Sequence, residues 1–423
     1  MSRAGPERMS QRRDRALLYS AALLRSLATG TVGILLGFYL SRLSLDPKTM
    51  GLVIGAGLGG NAVAAFVAML AGDRLGRRRL LVLLSVLGAA GGLGVAGVSK
   101  LPLLLGFAFL GMVNGMGRER GAALVLEQSI APTLAEPRER TSVFAWYNVS
   151  GDAGHALGAA LAMVPALLRT SFGFDPVSSV RVVLAVCSLV VLTTAPLSSA
   201  LSASVEVPTA GAPRLVLSPR SRSILWRVSA LFAIDSLGGG FLGSAWLTWF
   251  FEDRFHVGEA WIGALFVGAR LLNAVSHLGA SWLAARIGLV NTMVFTHLPS
   301  SVLLLTMLVA PSFPVAAALF LLREGLSQMD VPTRQSYLMA VVRPEEQTFA
   351  AGVTHLVRLS SWAAAPSVAG ILIERISAAS PFALGASLKI VYDVLLYFAF
   401  RGVRPPEEET SPETSSSKGE ETP

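Results

Sequence analysis

The sequence contains one cysteine, Cys187, so no disulfide can form within the chain. Cys187 sits in an apolar run and reads as a packing residue. Charge is also scarce. Only 15% of residues are Asp, Glu, Lys or Arg, against about 25% in a soluble domain. Hydrophobic residues make up 52% and the mean hydropathy is +0.58. That balance excludes an ordinary soluble domain and points to an all-α integral membrane protein. There is no Walker-type phosphate loop, so ATP hydrolysis is not expected to supply energy. There is no zinc-ligand spacing, no Gly-x-Ser-x-Gly turn and no Cys–His pair. The expectation is therefore no catalytic residues, no metal, no cofactor and no enzyme activity. The glycines from Gly55 to Gly60 lie inside an apolar run and are no dinucleotide fingerprint. The Arg-rich start, Met1 to Arg15, lacks a small-residue cleavage site and reads as a tail rather than a signal peptide.

What is present is a series of apolar stretches, each about 20 residues long, the length that spans a bilayer. Twelve are expected, at 17–41, 49–71, 80–99, 102–126, 142–168, 178–200, 224–250, 260–282, 290–310, 313–338, 349–373 and 381–400. The polar interval 201–223, with Pro208, Pro213 and Pro219, separates the sixth from the seventh and reads as a linker. The predicted organisation is a cytoplasmic tail 1–16, a six-helix bundle 17–200, a cytoplasmic linker 201–223, a second bundle 224–401 and a tail 402–423. The last segment is rich in Glu, Ser, Thr and Pro and is expected to be disordered. The net charge of +8 does not call for nucleic acid, because the arginines occupy short loops. One set of loops and tails holds 20 basic residues; the other holds 7, Arg42, Lys48, Lys100, Arg169, Arg181, Arg254 and Arg375. Positive loops face the cytoplasm, which places both termini there, in a plasma (inner) membrane.

The two halves repeat each other. Arg25, Ser26, Leu27, Gly30 and Gly33 align with Asp235, Ser236, Leu237, Gly240 and Gly243. Gly51, Asn61, Ala62 and Val63 align with Gly263, Asn273, Ala274 and Val275. Asp73-Arg74-Leu75-Gly76 aligns with Ala285-Arg286-Ile287-Gly288, and Gln128, Ser129, Pro137 and Thr141 with Gln335, Ser336, Pro344 and Thr348. A chain built from two similar membrane halves is the signature of a secondary transporter.

The loop Ala71-Gly72-Asp73-Arg74-Leu75-Gly76-Arg77-Arg78-Arg79 resembles the signature loop of the major facilitator superfamily, with the Asp-Arg-x-Gly-Arg core intact. Met69 replaces the leading Gly and Ala71 the expected Leu. The second copy keeps Arg286 and Gly288 but has Ala285 for the acid. The resemblance implies twelve helices in two pseudo-symmetric six-helix bundles and transport by alternating access. It also implies that Asp73, Arg74, Gly76 and Arg77, with Arg286 and Gly288, latch the halves together and release as they rock. Helix 5 keeps two of five positions of the efflux-type motif, through Ser150, Gly154, His155, Gly158 and Ala159.

An ionisable group inside a span is by default a functional candidate. Arg25 and Asp235, equivalent positions of opposite charge, are expected to face the central cavity. Asp152 and His155 share a face of helix 5, and Asp152 lies at the depth of Arg270 in helix 8. A breakable Asp152–Arg270 pair is expected as a gate, with Asp152 or His155 taking the coupling proton. Arg118, Arg323 and Arg358 are candidates for an anionic substrate, and Asn61 and Asn273 for the pathway lining. Glu127 and Arg334, again equivalent and opposite, are expected near headgroups or loops, with Arg74 or Arg77 as partners of Glu127. The leading expectation is proton-coupled export of small organic molecules by a monomer in the bilayer. An importer or organic-anion carrier, or a transporter-like sensor, is the alternative.

Overall fold

The computed structural model describes residues 4–117, 121–134, 140–206, 218–331, 333–334, 337 and 347–400. Arg118, residues 207–217 of the expected linker and the tail 402–423 lie outside them. Every regular element among the described residues is helical. In chain order they are α1 (Ala4–Arg42), α2 (Pro47–Leu75), α3 (Arg77–Gly97), α4 (Leu101–Gly111), α5 (Ala122–Ile130), α6 (Arg140–Leu161), α7 (Val164–Phe172) and α8 (Pro176–Ser199) in the first half. The second half holds α9 (Pro219–Gly240), α10 (Ser244–Phe255), α11 (Glu259–Ile287), α12 (Leu289–Leu308), α13 (Phe313–Ser327), α14 (Gln347–Arg375) and α15 (Ser380–Phe400). Short 3-10 turns follow α5 and α8.

Nine stretches among the described residues are long and apolar enough to cross a membrane. They correspond to expected spans 1, 2, 3, 5, 6, 7, 9, 11 and 12. Span 8 is α11. Spans 4 and 10 are the most charged and are not continuous helices. The fourth, expected as one helix over 102–126, ends α4 at Gly111 and resumes at Ala122. Met112, Gly117 and Gly121 between them all have positive φ, which a helix cannot accommodate. The tenth turns at Gln328 and Met329 before helical geometry resumes at Asp330. The fifth is interrupted at Ala162 and Met163, just before Pro165, whose nitrogen cannot donate. The seventh is interrupted at Phe241 to Gly243, directly after three glycines. At the start of the chain, the expected tail 1–16 is instead continuous with the first span, because α1 is already helical from Ala4. Asp14 fastens that extension to the backbone N–H and hydroxyl of Ser202.

Helix ends follow local chemistry. Asp46 accepts from the Thr49 N–H at 2.9 Å and Asp175 from the Val177 and Ser178 N–H groups at 3.0 and 2.9 Å. The hydrogen bond from Thr49 holds the Asp46 carboxyl below its usual range, and that from Ser178 does so for Asp175. Gly76 (φ 89°) ends α2 and opens α3; Gly288 (φ 84°) does the same for α11 and α12. The aligned glycines of the repeat therefore make the same turn in both halves.

The halves meet along α2 against α14, α6 against α11 and α1 against α10. Contact is tightest where α2 crosses α14 near Asp46. A Cβ on Gly51 would lie 2.3 Å from the Pro366 carbonyl oxygen, and one on Gly370 2.2 Å from that of Pro47. Val at either position forces the helices apart, an overpacking defect of about 1–3 kcal/mol. Gly51→Val and Gly370→Val should each lower the thermal midpoint of the purified protein by several degrees. Gly97→Val, where nothing lies within 4 Å, should leave it unchanged.

Candidate functional site

The signature loop opens α3, whose first N–H groups need acceptors. Gly76 has no side chain to offer. Glu206, from the start of the linker, takes their place, accepting from the Arg77 N–H at 2.7 Å and the Arg78 N–H at 3.1 Å. A carboxylate is also favoured at that end of a helix dipole. The Arg77 side chain is buried and donates to the carbonyls of Ser129 and Val205 at 3.0 and 3.4 Å. Arg78 donates to Ser199 at 2.7 Å. These contacts tie the loop to its own half. Arg74 is exposed, and the side chain of Asp73 lies outside the described ones. In the second copy, Arg286 stacks over Trp282 at 4.1 Å.

Inside the bundle, the repeat-equivalent charges pair within each half. Arg25 on α1 binds Glu127 on α5. Asp235 on α9 binds Arg334 of the tenth span at 2.8 Å. The second pair is the first with its signs exchanged. Glu127 is thus buried in the first half rather than reaching headgroups or the signature loop. Its other oxygen accepts from the Tyr147 hydroxyl at 2.6 Å. Arg25 also donates to Ser85 and Thr194 at 3.3 and 3.1 Å, and it lines a small cavity of about 90 Å³.

The second half is more elaborate. The other oxygen of Asp235 binds the Lys389 ammonium at 2.7 Å. Lys389 also reaches His297 Nε2 at 3.2 Å, and His297 Nδ1 lies 2.9 Å from Asp393. Arg334 additionally binds Asp330 at 3.2 Å. Nothing in the sequence reading singled out His297, Lys389 or Asp393. The signal was there, in two charges four residues apart in the apolar twelfth span and a histidine in the ninth.

This network forms one wall of a cavity of about 260 Å³. Asp235, Arg323 and Arg358, expected at the cavity, all line it, and so does Arg270. Arg323 pairs with its neighbour Glu324. Arg358 donates to the Ser236 hydroxyl at 3.3 Å and lies 4.9 Å over the Trp362 ring. Arg270 is buried and donates to the carbonyl of Gly117 at 3.3 Å, and its Nε has no hydrogen-bond partner. It has no carboxylate partner among the described residues. The expected Asp152–Arg270 gate is not formed here. Asp152 is exposed on α6, and Arg270 faces the cavity instead. His155 is buried, with its backbone against Gly30 of α1. Asn61 and Asn273 are buried with neither amide atom hydrogen-bonded, and neither lines the cavity.

The cavity touches both halves through the interrupted fourth span. The Gly115 carbonyl accepts from the Ala245 N–H at 2.9 Å, at the first turn of α10, and the Met116 carbonyl from Ser244 Oγ at 3.1 Å. With Gly117 on Arg270, three successive carbonyls of one half serve donors of the other. A second bridge lies at the Asp46 end of the bundle. Glu259, at the start of α11, receives Arg42 from α1 and both terminal nitrogens of Arg169 from α7, at 2.8 and 2.7 Å.

The simple and branched networks respond differently to exchange. Removing one partner of a buried pair costs about 3–5 kcal/mol, because the other charge is stranded. Arg25→Glu with Glu127→Arg should therefore recover folded yield lost in either single variant. Asp235→Arg with Arg334→Asp should not, because Lys389 then faces an arginine. Fluorescence-detected gel filtration of the four single and two double variants distinguishes these outcomes.

Comparison with known proteins agrees with this architecture. The family profile of the Major Facilitator Superfamily matches residues 18–366. The uncharacterized membrane protein YJR124C of Saccharomyces cerevisiae is 26% identical, over 92% of this chain and 95% of its own. Among solved structures, a D-xylose-proton symporter superposes with a TM-score of 0.70 at 14% identity, covering 91% of this chain and 97% of its own. The nucleoside transporter NupG gives 0.67 at 14% identity, covering 92% and 98%. The human organic anion transporter MFSD10 gives 0.60 at 18% identity, covering 91% and 99%. With the family profile spanning most of the chain, two pseudo-symmetric six-helix halves and charges buried about a shared cavity, the protein belongs to the major facilitator superfamily of membrane transporters.

Proposed function

We propose that the protein is a proton-coupled secondary transporter of small organic anions, working by alternating access. The observation that supports this reading is the charge of the cavity. Its wall carries Arg270, Arg323, Arg334, Arg358 and Lys389 against Asp235, Glu324 and Asp330. Among the described residues pairing leaves Arg270 without a carboxylate, and a buried cation held only by a neutral oxygen is expensive. A carboxylate, phosphate or sulfonate entering the cavity supplies the missing partner through charge-assisted hydrogen bonds. Trp362 and Phe266 on the same wall offer apolar surface to the rest of such a molecule.

The same argument bears on coupling. An anion brought alone into the cell moves against the inside-negative potential, at about 2.3 kcal/mol per charge per 100 mV. A proton entering with it removes that cost. In the uptake direction anion and proton therefore travel together, and the export expected from the sequence stands as the alternative direction. The Glu259 clamp with Arg42 and Arg169 closes one end of the bundle, taken as the outer one. The Gly76 end, with the signature loop, is taken as cytoplasmic.

Proton flux into liposomes holding the purified protein tests this reading. The panel is benzoate, phenyl phosphate and benzenesulfonate, with cationic and neutral aromatic solutes of similar size. Inward proton flux triggered by an added anion, and lost in Arg270→Gln, is the expected outcome. Flux triggered only by cations or neutral solutes contradicts the cargo assignment. Silence throughout, with folded protein, favours the sensor.

The clamp has its own consequence. Glu259→Gln removes the charge that holds Arg42 and Arg169 and should open that end of the bundle. Gln328→Cys places a thiol on the cavity wall, in a background where Cys187→Ser removes the native one. A membrane-impermeant maleimide should label it from the Gly76 side in the parent. Glu259→Gln should raise labelling from the opposite side about tenfold, which corresponds to about 1.4 kcal/mol.

A further inference from the structure

The coupling proton was expected on Asp152 or His155. The structure assigns a different group: we infer that His297 binds the proton and that its protonation decides whether Lys389 is shared or committed to Asp235. The inference rests on the proton-coupled reading above for its use, but not for its test.

The argument starts from which atoms can donate. A lysine ammonium has three donors and no acceptor. Lys389 Nζ lies 3.2 Å from His297 Nε2, so Nε2 must carry the lone pair. The imidazole proton is then on Nδ1, which lies 2.9 and 3.1 Å from the two oxygens of Asp393 and donates to them. His297 is therefore a neutral imidazole oriented by a carboxylate behind it, with its basic nitrogen turned to the cavity, which it lines. That is the arrangement of a proton acceptor, with a carboxylate behind it and its lone pair towards the cavity.

The charges around it leave room for the proton. Against α12, α15 presents Lys389, Asp393 and the Tyr392 ring, edge-on at 6.0 Å. Facing it from α9 is Asp235, 4.0 Å from Nε2, and beyond that Arg334 and Asp330 of the tenth span. From α13, Arg323 and Glu324 neutralise each other. Arg358 of α14 is turned to Ser236 and Trp362, and Arg270 of α11 to Gly117. Within the directly bonded chain, three carboxylates (Asp235, Asp330 and Asp393) face two permanent cations (Arg334 and Lys389). Among the described residues, a proton on His297 brings this bonded chain to zero.

The step balances simply. A proton from water bonds to the Nε2 lone pair. The Lys389–Nε2 hydrogen bond breaks, because both atoms now carry protons. The imidazolium keeps its Nδ1–H bond to Asp393, and Lys389 keeps its bond to Asp235. Two positive groups then stand side by side on the cavity wall, where there was one before. That is the state best suited to an entering anion, and loss of the proton restores the resting arrangement.

The test is nitrogen NMR of the full chain in lipid nanodiscs, labelled at histidine. There are five histidines, and His297→Gln assigns the signal. The expected result is a single tautomer protonated at Nδ1 at about pH 8, converting to imidazolium on acidification to about pH 5. Removing the neighbouring cation with Lys389→Gln should move that midpoint up. Removing the supporting carboxylate with Asp393→Asn should move it down. Lys389→Arg, which keeps the charge, should stay near the parent and guards against a variant that merely folds badly. A resting tautomer protonated at Nε2, no titration across that range, or shifts of the same sign in both neutralising variants would falsify the assignment. The nanodisc measurement needs no cargo, so failure of the anion panel and failure of this assignment are separate results.

Discussion

The structure depends on the cost of a charge inside a bilayer. Each ion buried in the bundle must be met by a counter-ion or a set of hydrogen bonds. In the first half that demand is met locally. Arg25 and Glu127 neutralise each other, and Ser85, Thr194 and Tyr147 take up remaining donors and acceptors. The result is a closed knot joining α1, α3, α5, α6 and α8. It has a structural use that needs no cargo, since it fixes the orientation of five helices.

The second half begins from the same pair with its signs exchanged and does not close. Asp235 has a second cation, Lys389, which leans on His297, which leans on Asp393. The bonded chain among the described residues carries three carboxylates against two permanent cations. The pseudo-symmetry of the fold thus supplies a common scaffold and the side chains make it asymmetric. One half holds a closed set of paired charge; the other carries the branched network and the wall that the cavity exposes.

Much of the frame was legible in the sequence because its signals are one-dimensional. Apolar stretches give spans, and aligned glycines such as Gly76 and Gly288 give turns of similar φ. The aligned opposite charges at Arg25 and Asp235, and at Glu127 and Arg334, were also visible, but not that Arg25 meets Glu127. That contact joins residues 102 apart and depends on how helices pack. The interruption at 112–121 was hidden for a related reason. Its glycines suit a close-packed membrane helix as well as a turn, and only the neighbouring half decides between them. His297, Lys389 and Asp393 lie in the ninth and twelfth spans, and no repeat match or motif pointed to them. A charge there is informative because its surroundings are not.

The interrupted fourth span explains how the two halves can sense each other without an Asp152–Arg270 salt bridge. An intact helix uses its carbonyls internally, so it has none to offer a neighbour. Unwinding over 112–117 frees those of Gly115, Met116 and Gly117, which meet Ala245 N–H, Ser244 and Arg270 of the other half. Two of these donors belong to the first turn of α10, where N–H groups also lack partners within the helix. Free carbonyls thus face one helix-terminal N–H, one hydroxyl and one guanidinium across the boundary between halves. Arg270 is held there by a neutral oxygen, a weaker tie than a carboxylate. On the proposed reading it exchanges that oxygen for an anionic cargo, releasing one contact between halves as it does so. The position where the halves touch and the proposed cargo position are then the same guanidinium, which is what a carrier that moves only when loaded requires.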